Sequence, residues 1–561
     1  MLTGIVKRFP LSSAAALIAA LACGLYGPFL DNPRVFDDWT FFSGQQFAYF
    51  ATHPFGLGMR LPPSFTLAFT EMEVGSMRAH RIVSLMLHIA CSLALCRLIY
   101  DLLRAAAPSD GSGREAEQRT AALWACVGAA LFAIHPAAVY GAGYLMQRTV
   151  VMATLFSLLS IVFFVRGLAQ RRHADALSAA LMYSVAVLSK EHSLLVPGAA
   201  VLAAILIGER RFAFRHAAIY LAACVPAAVF AVLARKGLIG AGYEPDFGGV
   251  ATQLEGVFAH GVREFSWAIS AVTQAGLFFK YLAVWLWPDT GAMSIDVRVD
   301  FLETLSAGWV VLKLGAFIAF GAIGLLLLFR RGRAGTVGFG MLYTWILFLI
   351  EFSTIRFQEP FVLYRSYLWA PGVSIAVAAL LSAAPLRAAM AASALAVPLL
   401  LYQAHDRLVT FSSSLLLWED AYLKLPANPV PWGSRTLYMV GREYMYGHKP
   451  DKAIEVADRC MRQYPGTVHC YFARGFIHLI LGEYQLALPY LSRAVELRPE
   501  GALGHHRLGL VLERLGRTPE AIAEYRRASD LGYKGADYEI ERLESSRAGA
   551  AAARQAPAAS R

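Results

Sequence analysis

The stretch TVVMATLFSLLSIVFFV, residues 149–165, decides the fold class because its seventeen residues include no charged side chain. Arg148 precedes this stretch and Arg166 follows it. A helix of about 17–25 apolar residues crosses the hydrocarbon core of a bilayer. Over its 561 residues the whole chain is 57% hydrophobic and only 16% charged, which is far more apolar than a soluble protein of this length. The sequence therefore predicts an all-α, polytopic membrane helical bundle.

Similar apolar runs recur over residues 1–405 and predict about eleven membrane spans. Short loops between the runs carry clustered arginines, as in Arg330-Arg331-Gly332-Arg333, and the positive-inside rule assigns such loops to the cytoplasm. The same rule explains the net charge of +11 better than nucleic-acid binding does. Because the first run is long enough to span, we expect an uncleaved helix with the N-terminus inside, not a secretory signal. The runs are 9–30, 79–103, 120–138, 149–165, 174–189, 192–207, 217–233, 309–329, 338–352, 368–381 and 388–402.

Residues 254–287 are also apolar enough to enter the bilayer. A single crossing there would put the arginines at 330–333 outside and invert every later span. We therefore expect an outer-surface or re-entrant helix pair, backed by protein because unpaired backbone is not tolerated against lipid. An odd number of spans then leaves the C-terminal part outside the cell membrane.

The C-terminal part carries an internal repeat of 34 residues. Small residues at this spacing are typical of a tetratricopeptide repeat, in which they lie where two helices cross. The repeating positions are Gly441, Gly475 and Gly509, and Ala453, Ala487 and Ala521. We expect a connector over 406–433, a soluble repeat α-solenoid over 434–545 and a disordered tail over 546–561. Cys460 and Cys470, the only cysteines outside the apolar part, fit either a disulfide or two buried thiols, and thiols are favoured.

Polar side chains accumulate in the segments assigned to the outer surface. Asp37 and Asp38 begin a first outer loop over residues 31–79, about fifty residues long, which is long for a connector. Each polar residue alone is explained as an interfacial anchor or a helix cap, and the two aspartates as the N-cap of a helix over 39–50. Taken together at one surface, they predict a catalytic site. The others are His53, Arg60, Glu71, Glu73, Arg78, His80, Ser84, His88, His135, Tyr144, Gln147, Arg148, Lys190, Glu191, Arg356, Glu359, Tyr364 and Arg365.

The order of short motifs along the chain resembles the GT-C glycosyltransferases that carry C-terminal tetratricopeptide repeats, a group that includes bacterial membrane proteins and the TMTC protein O-mannosyltransferases. The resemblance covers residues 35 to about 499. The matching motifs are Phe36-Asp37-Asp38, His80-x3-Ser84-x3-His88, residues 131–136 with Tyr144 and Gln147-Arg148, Leu188-Ser189-Lys190-Glu191, and residues 364–371.

The resemblance implies an inverting transfer of a sugar from a polyprenyl-phosphate carrier to an acceptor at the periplasmic face of a bacterial inner membrane. A hydroxyl nucleophile needs a general base, and adjacent buried carboxylates raise each other's proton affinity. We therefore assign the base to Asp37 and orientation of the acceptor or sugar to Asp38. The phosphate leaving group needs cationic donors. Our candidates for substrate or lipid-phosphate binding are His80, His88, His135, Arg148, Lys190, Lys280 and Arg365, with Glu191 pairing a cation.

No cofactor is expected, and a divalent cation at Asp37-Asp38 with His53 or His135 is only a weak alternative. The repeats would hold a protein acceptor, such as a pilin, through its Ser or Thr hydroxyls. Two other functions remain open at this point. One is an oligosaccharide ligase or a glycolipid-modifying transferase of the same fold, and the other is a non-enzymatic membrane scaffold that uses the repeats for assembly.

Overall fold

The computed structural model describes residues 11–42, 49–50, 52–53, 58–106, 114–234, 265–299 and 307–555. The chain divides into two compact units, Met1–Leu417 and Trp418–Arg561. Across the described ranges all regular structure is helical, and an isolated antiparallel bridge joins Val297 to Phe361. The expected all-α class is confirmed. The expected boundary at residue 405 falls inside a helix that continues to Thr410.

The first unit is a bundle of long apolar helices with short helices at their ends. Its helices are α1 (Leu11–Tyr26), α2 (Asp38–Phe42), α3 (Leu61–Glu73), α4 (Met77–Ala105), α5 (Arg114–Ala133), α6 (Pro136–Ala142), α7 (Arg148–Gln170), α8 (Ala174–Ser189), α9 (Val196–Ile207), α10 (Arg210–Ala234), α11 (Ser266–Leu286), α12 (Ala307–Phe329), α13 (Gly332–Ser353), α14 (Ala370–Ala383) and α15 (Leu386–Thr410).

By length and composition, eight helices of the described residues could cross a membrane, or nine if the bent pair α5 and α6 forms one span. Three shorter apolar helices occur at Ala174–Ser189, Glu191–Ile207 and Ala370–Ala383. When α11 is set aside, these helices correspond one for one to the eleven apolar runs of the sequence.

Helix α11 is long and apolar enough to span, yet both of its ends contact the same end of the bundle. Near its start, Ser270 donates a hydrogen bond to the carbonyl of Thr354, just beyond the C-terminus of α13. Near its finish, the ring of Trp285 stacks on His135, just beyond the C-terminus of α5, at 4.2 Å. Both contacts are at one end of the bundle, and the outer-surface or re-entrant arrangement of this stretch stays a prediction. The first part of the expected helix pair, up to residue 264, lies outside the described residues.

Helices α13 and α14 approach closely because glycines face each other where they cross. A Cβ atom built on Gly340 would lie 2.4 Å from the backbone oxygen of Gly372, which no side chain tolerates. Small residues allow this close backbone contact between apolar helices. The crossing fixes α13, which carries Glu351, against the segment that carries Arg365.

The second unit is an array of antiparallel helix pairs. α16 (Ser414–Leu423) leads into it, and the helices that follow are α17 (Gly433–Tyr446), α18 (Pro450–Gln463), α19 (Val468–Ile480), α20 (Tyr484–Leu497), α21 (Ala502–Arg514), α22 (Thr518–Asp530) and α23 (Gly535–Gln555). Ala453, Ala487 and Ala521 are fully buried, as the repeat pattern requires.

Two expectations for this unit need correction. Cys460 and Cys470 form a disulfide that joins α18 to α19, where the sequence favoured two thiols. Helix α23 continues to Gln555, so the expected disordered tail is helical over its first part, and residues 556–561 lie outside the described residues.

Candidate active site

Most of the polar residues singled out in the sequence meet at one end of the bundle, where α4 and α7 begin and α8 and α13 end. We call this region the polar end. Arg148, at the start of α7, donates to the carbonyl of His80 at 2.9 Å. Arg60 donates to the carboxylate of Glu191, beyond the end of α8, at 2.8 Å. These contacts join segments that are far apart in the sequence.

The two aspartates at the polar end have different environments. Asp38 is fully buried, and its carboxylate accepts the backbone N–H of Val35 at 3.0 Å and of Met146 at 2.9 Å. Asp37 is only partly buried. Phe36 has a φ of 51°, a strained value for a bulky residue, and such strain persists only where the surroundings impose it. The Asp38 carboxylate therefore holds the loop through these two backbone contacts, and Asp37 is the more accessible carboxylate; the substrate-orienting role expected for Asp38 stays a prediction.

Arg81 also holds this loop in place, and it was not among the residues predicted from the sequence. Its guanidinium, on buried α4, donates to the backbone carbonyls of Asn32, Pro33 and Gly143. Burial raises the pKa of Asp38 to about 6, although the charge of Arg81 opposes the rise. A charged residue inside an apolar run was the available signal, because such residues are retained where they have a specific partner.

A line of polar and aromatic side chains connects Asp37 to Lys190. The backbone N–H of Asp37 donates to the hydroxyl of Tyr144 at 3.1 Å, and the ring of Tyr144 lies 6.1 Å from that of Tyr364. The Lys190 ammonium lies 5.2 Å from the centre of the Tyr364 ring and donates to the side-chain oxygen of Gln147 at 3.3 Å. Asp37 and Lys190 are therefore linked through two neighbouring tyrosines, and their roles as base and phosphate ligand stay predictions.

The buried carboxylate of Glu351 lies at the centre of a second group of polar side chains. Glu351 and His192 of this group were not predicted from the sequence. The carboxylate oxygens of Glu351 lie 2.7 Å from His192 Nε2, 3.1 Å from Arg356 Nε and 3.4 Å from an Arg365 nitrogen. Arg365 also pairs with the Glu359 carboxylate at 3.3 Å. Arg365 therefore faces two carboxylates, whereas the hydrogen bond of Lys190 is to a neutral amide.

Three other residues named from the sequence, Glu71, His80 and Arg148, make contacts that join segments of the polar end. His80 pairs with Glu71 at 2.8 Å, and Glu71 also pairs with Arg34 at 2.6 Å, which ties α3 and the first loop to α4. The three groups that the Arg148 side chain contacts, the hydroxyls of Ser84 and Thr66 and the carbonyl of His80, are all neutral.

His88 and Lys280 do not join the Asp37–Lys190 group. His88 is fully buried, and its two ring nitrogens are hydrogen-bonded to the hydroxyl of Tyr367 and the carbonyl of Ala133 at 2.6 and 2.8 Å. It is therefore a core residue without a free nitrogen for a ligand. Lys280 lies on α11 with its ammonium 4.7 Å from the centre of the Phe361 ring.

A groove of about 620 Å³ lies between α5, α14 and α15, next to the end of α11. Its lining is mainly apolar and includes Leu131, Val377, Leu395 and Leu399. His135 contributes to its wall, with its ring stacked on Trp285 and its Nδ1 accepting the N–H of Ala137 at 3.2 Å. An apolar chain fits such a lining better than a polar ligand does.

Within the described residues no group of three or more His, Cys, Asp or Glu side chains could hold a metal ion. His53 is exposed and stacks on Tyr49 at 4.5 Å. The absence of a cofactor stays a prediction.

Comparison with known sequences finds the tetratricopeptide repeat family, whose profile matches residues 438–502 and 478–533. The C-terminal part is a tetratricopeptide repeat array. No curated protein matches the chain significantly. Among solved structures, the chain is similar to the oligosaccharyltransferase of Archaeoglobus fulgidus tethered to an acceptor peptide with the NVT sequon, with 13% identity and a TM-score of 0.35. The alignment covers 80% of this chain and 59% of that enzyme, and a likeness at this level does not assign a reaction.

Proposed function

We propose that the first unit is a membrane glycosyltransferase that moves a sugar from a polyprenyl-phosphate donor to Ser or Thr hydroxyls of an envelope protein. The observation that carries this proposal is that Asp37 and Lys190 contact two neighbouring tyrosines: the backbone N–H of Asp37 donates to Tyr144, and the Lys190 ammonium lies over the ring of Tyr364. A base and a cation at the polar end of an apolar bundle meet the two electrostatic needs of the reaction.

In the proposed reaction, Asp37 accepts the proton of the acceptor hydroxyl as its oxygen attacks the anomeric carbon. The bond from that carbon to the phosphate oxygen breaks, and the lipid phosphate leaves with the electron pair. Attack opposite the leaving group inverts the anomeric centre. The charge that builds on the phosphate then requires a cation on the other side of the sugar from Asp37.

Lys190 is the better phosphate ligand among the predicted cations. Its ammonium donates to Gln147 and lies against an aromatic ring, so an anion would supply its strongest partner. The charge of Arg365 is already opposed by Glu351 and Glu359. Arg148 is fully buried beneath the site and would act on the phosphate through its field instead of by contact.

The apolar groove beside His135 would take the polyprenyl chain. Its lining offers apolar side chains of α5, α14 and α15 over about 620 Å³, and the imidazole of His135 stands in its wall. A long apolar ligand gains roughly 25 cal/mol for each Å² removed from water. Widening or filling the groove should therefore change the apparent affinity for donors according to their chain length.

The repeat array would hold the protein acceptor, for which a pilin-like protein is our proposal. Binding at a separate module raises the local concentration of the acceptor without taking part in the chemical step. This arrangement requires the repeats to lie in the periplasm of a bacterial inner membrane protein, on the side where Asp37 acts.

The proposal is tested by comparing envelope glycopeptides from a strain lacking the protein with those of its parent by mass spectrometry. We expect the loss of a single sugar from Ser or Thr residues, restored by the intact gene. Unchanged glycopeptides with an altered glycolipid or polysaccharide would favour a transferase with that acceptor. Rescue by the repeats attached to an unrelated membrane helix would contradict any enzymatic function and favour the scaffold.

A further inference from the structure

Glu351 is a buried carboxylate with three neighbours from three different segments, two arginines and the imidazole of His192. It lies near the C-terminus of α13 and is 1% exposed. His192 comes from the 3₁₀-helix Glu191–Leu195 after α8, Arg356 from the segment just after α13, and Arg365 from the 3₁₀-helix Leu363–Leu368. A single side chain therefore joins four parts of the polar end.

The energetics of burial make these contacts mutually dependent. A carboxylate removed from water costs several kcal/mol unless cations and hydrogen bonds compensate for it. Arg356 is itself fully buried, so neither partner can return to water without movement of the surrounding helices. The geometry of the group is therefore imposed by Glu351 and by its partners together.

Two of these partners are next to the Lys190–Tyr364 contact in the sequence. His192 follows Lys190 by two residues, and Arg365 follows Tyr364 directly. Through His192 the carboxylate fixes the backbone that carries the ammonium, and through Arg365 it fixes the backbone that carries the ring. Glu191, between Lys190 and His192, is held separately by Arg60 at 2.8 Å.

We propose that Glu351 is a positioning residue that sets the Lys190 ammonium and the Tyr364 ring in place beside Asp37. It acts through His192 and Arg365 and does not contact substrate. The proposal rests on the proposed function, because it concerns the cation that would face the leaving phosphate. Its effect is on geometry, and in reactions of this kind a displacement of about 1 Å can reduce the rate 100-fold.

The first test is steady-state kinetics of Glu351→Gln with a polyprenyl-phosphate sugar and an acceptor peptide. The change keeps the shape of the side chain and removes its negative charge, so His192 and Arg365 lose the charge that they share. We expect kcat to fall by about 10–100-fold, with the KM for the donor little changed, because the added net positive charge does not weaken binding of an anion. Glu351→Asp keeps the charge and should recover most of the lost kcat.

The matched control is Asp101→Asn in α4, which removes another acidic partner of an arginine in the same unit. Asp101 pairs with Arg97 at 2.7 Å, toward the far end of α4 from His80. We expect its kcat and KM to equal those of the wild type. If Glu351→Gln has the kinetics of this control, the positioning proposal is wrong.

A second measurement does not depend on activity. Lys190 is only 6% exposed, so an amine-reactive label should modify it slowly in the wild-type protein in detergent. When Glu351 is replaced by Gln, we expect labelling of Lys190, followed by peptide mass spectrometry, to become at least several-fold faster. Labelling at the wild-type rate would contradict the proposal. If Glu351→Gln does not insert stably, the same two measurements are made on Arg365→Lys, which keeps the charge but removes the guanidinium contact with Glu351. Wild-type values of both kcat and labelling in that variant would overturn the proposal.

The two measurements separate this proposal from the proposed function. If the wild-type protein transfers no sugar but Glu351→Gln exposes Lys190, the positioning role stands and the glycosyltransferase proposal fails. If the wild-type protein is active and Glu351→Gln changes neither rate, only the positioning role fails.

Discussion

The repeat array and the polar end of the bundle are built from contacts of different range. In the array, each helix packs against its neighbours in the chain, and small residues recur every 34 positions where helices cross. At the polar end, hydrogen bonds join Asp38 to Met146, Arg60 to Glu191, and Arg356 to His192, which are 108, 131 and 164 residues apart. Damage to the array should therefore be local and graded, whereas damage to the polar end should remove activity without unfolding the bundle.

The largest expected effect is that of Asp37→Asn, which removes the proposed general base. We expect kcat to fall by about 1,000-fold, within the range general bases contribute, while the amount of inserted protein stays unchanged. Sugar transfer to an acceptor peptide and the yield in membranes are the two measurements.

Asp31→Asn is the matched control for that change. Asp31 lies six residues earlier, is exposed and pairs with Arg78, so its loss should leave transfer at the wild-type rate. Equal rates in the Asp37 variant and this control would remove Asp37 from the reaction.

The next effect concerns the pH dependence of stability at Asp38. Because burial raises the pKa of this carboxyl from 3.8 to about 6, the folded state holds the proton more tightly than the unfolded state does. The resulting stabilisation, about 3 kcal/mol at most, is complete below pH 4 and is lost as the pH rises through 6. The asparagine of Asp38→Asn does not titrate. As the pH is lowered from 7 to 4, the Tm of the wild type should therefore rise relative to that of the variant.

Thermal unfolding of both proteins in detergent measures this difference, and titrating groups that do not interact with Asp38 cancel in the comparison. A Tm difference that stays constant from pH 7 to pH 4 would show that Asp38 has the same proton affinity in both states.

The smallest expected effects are changes in the stability of the array, and they differ between Gly475 and Gly441, which occupy equivalent positions of two repeats. A Cβ on Gly475 would lie 2.6 Å from the Leu491 side chain, whereas one on Gly441 would meet nothing closer than 3.8 Å. Gly475→Ala should therefore destabilise the array by about 1–3 kcal/mol through overpacking. Gly441→Ala should stabilise it by about 0.5–1 kcal/mol, since alanine restricts the unfolded chain.

Pulse proteolysis of the full-length protein in urea measures both changes in stability when the proteolytic fragments that come from the repeats are quantified. Transfer to a short acceptor peptide should be the same in both variants. If the two alanines shifted stability in the same direction, the packing assigned to these helix crossings would be incorrect.

The difference in contact range also explains how much the sequence predicted. The helical class, the apolar runs and the repeat positions follow from local composition and from spacing, and the structure contains them. Assigning loops to one surface grouped Asp37 with Lys190, and in the structure Tyr144 and Tyr364 lie between them. Arg81, His192 and Glu351 were missed because each is an ionisable residue within or beside an apolar helix, and its role depends on a partner far away in the chain.

The different environments of Asp37 and Asp38 could not be predicted for the same reason. Adjacent residues in a loop look equivalent in the sequence, and only the backbone of Met146, contributed by another segment, determines which of the two is enclosed. Likewise His88 lies on the same helix face as His80 and Ser84, but Tyr367 and Ala133 enclose it deeper in the bundle.

The redox state of the Cys460–Cys470 pair, which forms a disulfide, indicates the compartment in which the second unit lies. Such bonds persist in the periplasm and are reduced in the cytosol, so the natural protein needs no reporter fusion to reveal its orientation. A peptide pair isolated from cells under acid quenching and found two hydrogens lighter than its reduced form would mean that the repeats had crossed the membrane during biogenesis.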